Sequence, residues 1–401
     1  MPENWKTYKL GDLISIRGGF SYKGKYIGSG DSLLLGMGCV SNSKRFLISG
    51  ARPYSGDCRS VFFLNPGDMV LATRQQSDNL PIIGLPAIVP QEFEEKSVIG
   101  GTNLFLVKNE SEIDNRFLYW LLKSPMYKRH MKSVSSGTTV RMITKDAVEL
   151  FEFDCPPKEE RLAISNFLWQ IDDKIENTLA MNKTLEAMAM ALYKHWFVDF
   201  GPFQDGNFVD SELGLIPEGW EVKELHQLSR FRNGKGLKKE LKDDSGLYNV
   251  FGSNGIIGKT NETMFNTPVV AIGRVGANYG EVHYSTDPCW ISDNAVTVQP
   301  SEPINIWWLI QTLRLIDYSQ FAAGSAQPLI TQGAIKEVKY PIPPDEMFKS
   351  YASKISPYFL QIQNNNSVNL TLTNLRDTLL PKLVSGEVRV KDIEKTVSEV
   401  L

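Results

Sequence analysis

Two stretches of this chain carry the same stripe of apolar residues, and the stripe restricts the fold more than any other feature. After Pro157, Ile164, Leu168, Ile171, Ile175, Thr178, Asn182, Leu185, Ala189, Leu192 and Trp196 alternate at spacings of four and three. That is the seam along which one α-helix packs on another. Adding 187 gives Tyr351, Ile355, Tyr358, Ile362, Asn365, Asn369, Leu372, Arg376, Leu379 and Leu383, so the pattern recurs with its polar middle. The sequence offers no third long helix to cover either stripe, so the two are expected to pack on each other. The seam is assigned to Leu168, Ile171, Ile175, Asn182, Leu185 and Leu192 on the first helix. On the second it is assigned to Ile362, Asn365, Asn369, Leu372 and Leu379, with asparagine fixing register at some cost in stability. An antiparallel pair would set Thr178 and Asn182 near Asn365 and Asn369, where all could hydrogen-bond. Ser356-Pro357 reads as an N-cap and first helical residue, so the second helix is expected to start or kink there.

The segments before each helix repeat as well. SSGTTVRMITKDAVELFEFDCPP (135–157) matches AAGSAQPLITQGAIKEVKYPIPP (322–344) at the same offset of 187. NWKTYKLGDLISIRGG (4–19) resembles GWEVKELHQLSRFRNG (219–234), with Trp5 answering Trp220. Between them each copy has a strand ending in arginine (MVLATR, 69–74; VVAIGR, 269–274) and an aromatic helical stretch. The expected fold is α+β: two similar mixed α/β domains joined and spaced by two long helices in an antiparallel coiled coil. Boundaries follow at 1–157, 158–200 for the first helix, 201–345, and 346–401 for the second helix and tail.

Composition narrows the chemistry. No apolar run approaches the 18 residues a membrane helix needs, and no cationic leader opens the chain, so a cytoplasmic protein is expected. The four cysteines are scattered without C-x-x-C spacing, which suggests reduced structural thiols and no zinc. A net charge of −3 is unusual for a nucleic-acid binder, but its distribution is uneven. Residues 1–157 hold 19 Lys/Arg against 16 Asp/Glu, and RFRNGKGLKKELK (230–242) holds six basic residues and one acid.

FGSNGIIGKT (251–260) ends like a phosphate-binding loop, yet Ser253 stands where the leading glycine belongs and no helix pattern follows. A glycine-rich turn between strands fits better, with Asn254 and Lys259 as candidate DNA contacts. Its first-domain counterpart, LLLGMGCVSNSKRF, has the glycines and a basic tail but no Gly-Lys-Thr.

Two similar ends on a rigid spacer suit a partner with two separated sites. A helix of 30 residues spans roughly 45 Å, and DNA half-sites one turn apart lie about 34 Å from each other. Arg, Gln and Asn can form paired hydrogen bonds with guanine or adenine edges. Candidate readers in the first domain are Arg74, Gln75, Gln76 and Asn79, with Thr138, Thr139 and Arg141 in a second loop. Those in the second domain are Arg274, Asn278 and Tyr279, with Ser325 and Gln327. Arg232, Lys235 and Lys238 supply a basic run beside them.

With its tandem layout, GWEVKEL start, YNVFGSNGIIG loop and C-terminal LLPKLVSGEV, the whole chain resembles the specificity subunit of a type I restriction–modification system. The resemblance implies two target-recognition domains, each reading half of a bipartite double-stranded DNA site. It also implies helices that set the gap and dock two modification subunits, with restriction subunits joining the complex. No catalytic residue, metal or cofactor is then expected on this chain; S-adenosylmethionine, ATP and Mg would sit on its partners. The rival reading, a DNA adenine methyltransferase, needs a polar residue, Pro-Pro and an aromatic in sequence. CPPK (155–158) and IPPD (342–345) lack both flanking types. A nuclease would need clustered carboxylates in each copy. Asp68 and Glu94-Glu95-Lys96 have no second counterpart. A protein-interaction scaffold would need only the helices.

Overall fold

The computed structural model describes residues 4–75, 82–137, 140–323, 329–393 and 395. Packing divides the chain into two compact units. The first joins Met1–Thr178 to Ser367–Leu401, and the second is Leu179–Asn366. Each therefore holds a globular part and half of each long helix, Lys158–Phe197 and Asp345–Ser385.

The first unit contains a four-stranded antiparallel sheet in the order Ile14–Gly18, Leu104–Asn109, Met69–Ala72, Pro86–Ile88. A second sheet orders Ala51–Tyr54, Ile27–Leu35, Val98–Gly100 and Phe63–Leu64, with Ile27–Leu35 and Val98–Gly100 parallel. Lys6–Lys9 pairs with Glu152–Cys155 and ties the start of the domain to its end. In the second unit the same plan returns. Ser229–Asn233, Ala295–Pro300, Val269–Gly273 and Val282–Ser285 form the antiparallel sheet. Tyr248–Gly252 lies between Gly255–Thr260 and the parallel Cys289–Ile291, and Glu221–Glu224 pairs with Lys339–Ile342.

The aromatic stretches are the pivots of the two cores. Asn115–Lys123 buries seven consecutive residues from Phe117 to Lys123, and Ile306–Arg314 buries Ile306 to Leu313. A helix apolar on every side must be enclosed on every side. In the first unit, Tyr119, Trp120, Ile164 and Leu168 share one core with Leu380, Leu383 and Val384. In the second, Trp307, Trp308 and Tyr193 share one with Tyr351, Ile355 and Phe359. Trp307 stacks on Phe359 at 4.2 Å between centroids. In each unit, partners rise in number on one long helix as they fall on the other, so the paired segments are antiparallel.

The seam departs from expectation in three places. Pro357 does not start the second helix, which is continuous from Asp345 to Ser385. Its ring is on the exposed face, the N–H it lacks falls opposite exposed Ser353, and the Ser356 hydroxyl donates to the Ala352 carbonyl. The four polar residues do not form one network. Asn182 donates to Asn366 at 2.9 Å and accepts from Asn365 at 2.7 Å, both within the second unit. Thr178 instead donates to the Lys174 carbonyl of its own helix, and the Asn369 amide is buried without a hydrogen-bond partner among the described residues. Toward the ends the buried position slips by one: Tyr193 and Leu380 are buried, whereas Leu192 and Leu379 are half-exposed. An α-helix of 3.6 residues per turn drifts off a strict heptad in this way where no supercoil corrects it.

Candidate nucleic-acid interface

Two expected reading loops in the first domain come together through a short ladder. Arg74 pairs with Met142 and Gln75 with Arg141. The matching place in the second domain is a bridge between Val275 and Leu329. The ladder thus sets Arg74 and Gln75 beside Arg141 and Met142, and the bridge sets Val275 beside Leu329. Gln76, Asn79, Thr138, Thr139, Ser325 and Gln327 lie outside the described residues.

These ladders correct the pairing of Arg74 with Arg274. Arg274 N–H donates to the Asn294 carbonyl and its carbonyl accepts from Ile330. In the first domain it is Thr73 that donates to Asn103 and accepts from Ile143. Thr73 is therefore the counterpart of Arg274, and Arg74 is the counterpart of Val275. A one-residue slip turns a strand side chain to the opposite face. Accordingly Arg74 is exposed, while Arg274 is half-buried with its Nε enclosed. Gln75 is 5 % exposed, and its Oε1 accepts from the Ile83 N–H. Arg141, half-buried beside it, is strand-paired.

In the second domain the glycine-rich turn joins this surface. Gly252 and Gly255 close a hairpin over Ser253 and Asn254, and Gly255 takes φ +82°. The Ser253 hydroxyl donates to the Asn294 carbonyl that also receives Arg274. A Cβ on Gly273 would stand 2.3 Å from the Asn278 carbonyl and 2.6 Å from that of Ser253, so only glycine lets the three segments meet. Residues 251–260 are strand and turn, followed at once by irregular chain, not a phosphate loop opening a helix. Asn254, Lys259, Arg232, Lys235 and Lys238 are exposed, and Asn278 and Tyr279 are half-buried. The basic run is pinned by Lys235, whose N–H donates to Ile291 and whose carbonyl accepts Trp290 Nε1 at 2.6 Å.

Strand register reveals a residue that sequence reasoning missed. Arg17 pairs with Leu106 as Arg232 pairs with Thr297, so the two arginines are equivalent and both exposed. The alignment of ISIRGG with SRFRNG held that signal. Arg17 lines a groove of about 600 Å³ with Arg59, Phe20 and Phe62. Among the described residues no group of three or more His, Cys, Asp or Glu could hold a metal. Nor does any described helix have the length and apolarity to cross a membrane.

One buried charge has a pH signature. The Lys123 ammonium is 5 % exposed, and burial pushes its pKa down to about 7. The unfolded chain keeps that proton to about 10.5, so between these values it binds more protons and stability rises with pH. Compared with Lys123→Met, the chain should gain on the order of 4 kcal/mol in unfolding free energy from pH 7 to pH 10.5. Denaturant titrations at both pH values measure it, and a difference that stays flat would mean the lysine stays charged.

Comparison with known proteins places this geometry. The model of the type I restriction modification DNA specificity domain matches residues 2–187 and again 217–374. The chain is 26 % identical to the type I restriction enzyme MjaIX specificity subunit of Methanocaldococcus jannaschii, covering 98 % of this chain and 95 % of that one. It is 23 % identical to the HindI specificity subunit of Haemophilus influenzae, over 96 % of this chain and 100 % of that one. The crystal structure of a type I restriction–modification S subunit from M. genitalium superimposes with a TM-score of 0.56 at 18 % identity, covering 95 % of this chain and 96 % of that one. Matched in both of its repeats and along nearly all of its length, this chain belongs to the type I restriction–modification DNA specificity family.

Proposed function

We propose that each globular domain reads one half of a bipartite duplex site, and that the long helices set the gap and dock two modification subunits. The chain is a DNA sequence-recognition subunit without catalytic activity of its own. Methyl transfer, and cleavage where restriction subunits join, belong to the partners, which would bring S-adenosylmethionine, ATP and Mg. The observation that carries the half-site reading is the repeated ladder. In both domains the strand leaving the central sheet meets the segment before the last strand, at Arg74–Gln75 with Arg141–Met142 and at Val275 with Leu329. Arg232, Lys235, Lys238 and Arg17 would contact phosphates, which orient a protein on the duplex without naming bases.

Arg74 and Arg274 test this reading, one in each half-site. Arg74→Ala should relax base preference in the first half-site only, at about 1–3 kcal/mol, the scale of one paired base contact. Arg274→Ala should weaken recognition of the second half-site only. Mapping methylated adenines made by the reconstituted complex reads both. A pattern unchanged by either substitution would remove these loops from the reading surface.

A further inference from the structure

The hairpin that carries Ser253 and Asn254 in the second domain is replaced in the first by a long insertion. Leu33–Leu35 runs parallel to Val98–Gly100, as Asn249–Phe251 runs parallel to Cys289–Ile291. Gly36 therefore answers Gly252. The next closing residue is Gly255 in one domain and Gly50 in the other, whose carbonyl accepts the Gly36 N–H. Two residues, 253–254, stand where the first domain has residues 37–49.

This insertion turns toward the long helices of its own unit and is held by three basic side chains, one from its own domain, one from the second long helix and one of its own. Lys123 donates to the carbonyls of Ser41 at 2.6 Å, Asn42 at 3.0 Å and Lys44 at 3.2 Å. Arg376, on the second long helix, donates to the Ser43 carbonyl at 3.3 Å. Arg45 leaves the insertion to pair with Asp173 at 2.7 Å and with Glu176, both on the first long helix, and lies 4.4 Å over the Trp169 ring. Arg45 is 12 % exposed, while Asp173 and Glu176 are 48 % and 44 % exposed, so the guanidinium is covered and its carboxylate partners face water. The hairpin of the second domain has Ile256 and Ile257 exposed beside its turn.

We infer that residues 37–49 are a positioning clamp, which fixes the setting of the first recognition domain on the spacer helices through Arg45, Lys123 and Arg376. This rests on the half-site reading above. The insertion does not read DNA, although it occupies the place of a turn that does so in the second domain. Its backbone carbonyls are taken up by Lys123 of its own domain and by Arg376 of the second long helix, and its arginine is spent on the first long helix. The clamp holds the first half-site at one distance and rotation relative to the spacer, so its loss loosens gap discrimination without changing which bases are preferred.

The test uses the complex reconstituted with its modification subunits and duplexes whose gap varies in single base-pair steps. Arg45→Ala removes the ion pairs at the helix surface, and a second variant replaces residues 37–49 with Ser-Asn. In both, preference for the native gap over its neighbours should fall about tenfold, the size of one lost charge-assisted contact. Base preference in each half should be unchanged, and Arg45→Lys should restore part of the discrimination. Undiminished gap discrimination in folded Arg45→Ala would overturn the clamp. So would altered base preference in the first half with gap discrimination intact, which would make the insertion a reader. If the unsubstituted complex methylates no bipartite site, the half-site reading fails and the clamp falls with it.

Discussion

Arg376→Ala should destabilise the chain by about 3–5 kcal/mol, the cost of stranding a buried charge. Arg376 Nη1 lies 2.6 Å from Asp172 Oδ1, and their side chains are 7 % and 5 % exposed. Burial pushes the Asp172 carboxyl above the usual carboxylate range, and the guanidinium draws it back. Removing the arginine leaves the carboxylate enclosed, whereas Asp172→Leu with Arg376→Leu should come much nearer to neutral. The second unit offers an internal contrast. Adding 187 to Asp172 gives Phe359, and subtracting it from Arg376 gives Ala189, both buried and apolar. The repeat thus tolerates hydrophobic residues at this level. Denaturant unfolding of the two single variants and the double variant gives the coupling directly, and additive single effects would show that the pair does not act as a unit.

Removing one heptad from each long helix should abolish methylation at the native spacing. Residues 176–182 and 365–371 are matched by the antiparallel pairing, so their joint deletion keeps the seam in phase. The loss shortens each helix by about 10 Å, close to three base-pair steps of 3.4 Å. It also turns the helix only about 20°, whereas three base pairs turn the duplex through roughly 100° at 10–10.5 pairs per turn. Distance and rotation cannot both be met on the original site. Methylation mapping reads the outcome, and an unchanged native gap would sink the ruler role of the helices.

Much of this was legible in the sequence, for physical reasons that differ by element. The helix seam and the paired motifs around Trp5 and Trp220 show because burial restricts residue type at every copy of a position. The loop assignments were weaker because the copies differ in loop length. Trp5 and Trp220 are 215 apart, Thr73 and Arg274 are 201 apart, and Ile143 and Ile330 are 187 apart. A matching arginine at the end of each strand hid that drift, and only hydrogen-bond register separated Arg74 from Arg274. Gln75 reads as a surface residue by type, and its role as a buried acceptor depends on Ile83 folding over it. Asp172 is unremarkable in sequence, since its partner lies 204 positions away.

The make-up of the first unit has a consequence for synthesis. It needs Leu380, Leu383, Val384 and Val390 to close a core begun by Leu10 and Leu13. A ribosome releases the amino end first, so that core stands open until residues 380–390 have been made. The unit encoded in the middle, Leu179–Asn366, has all its own segments earlier and can close while its predecessor waits. Nascent chains halted shortly before residue 380 should therefore be protease-resistant in their central portion and cleavable near their start, the reverse of the order in which the domains are written.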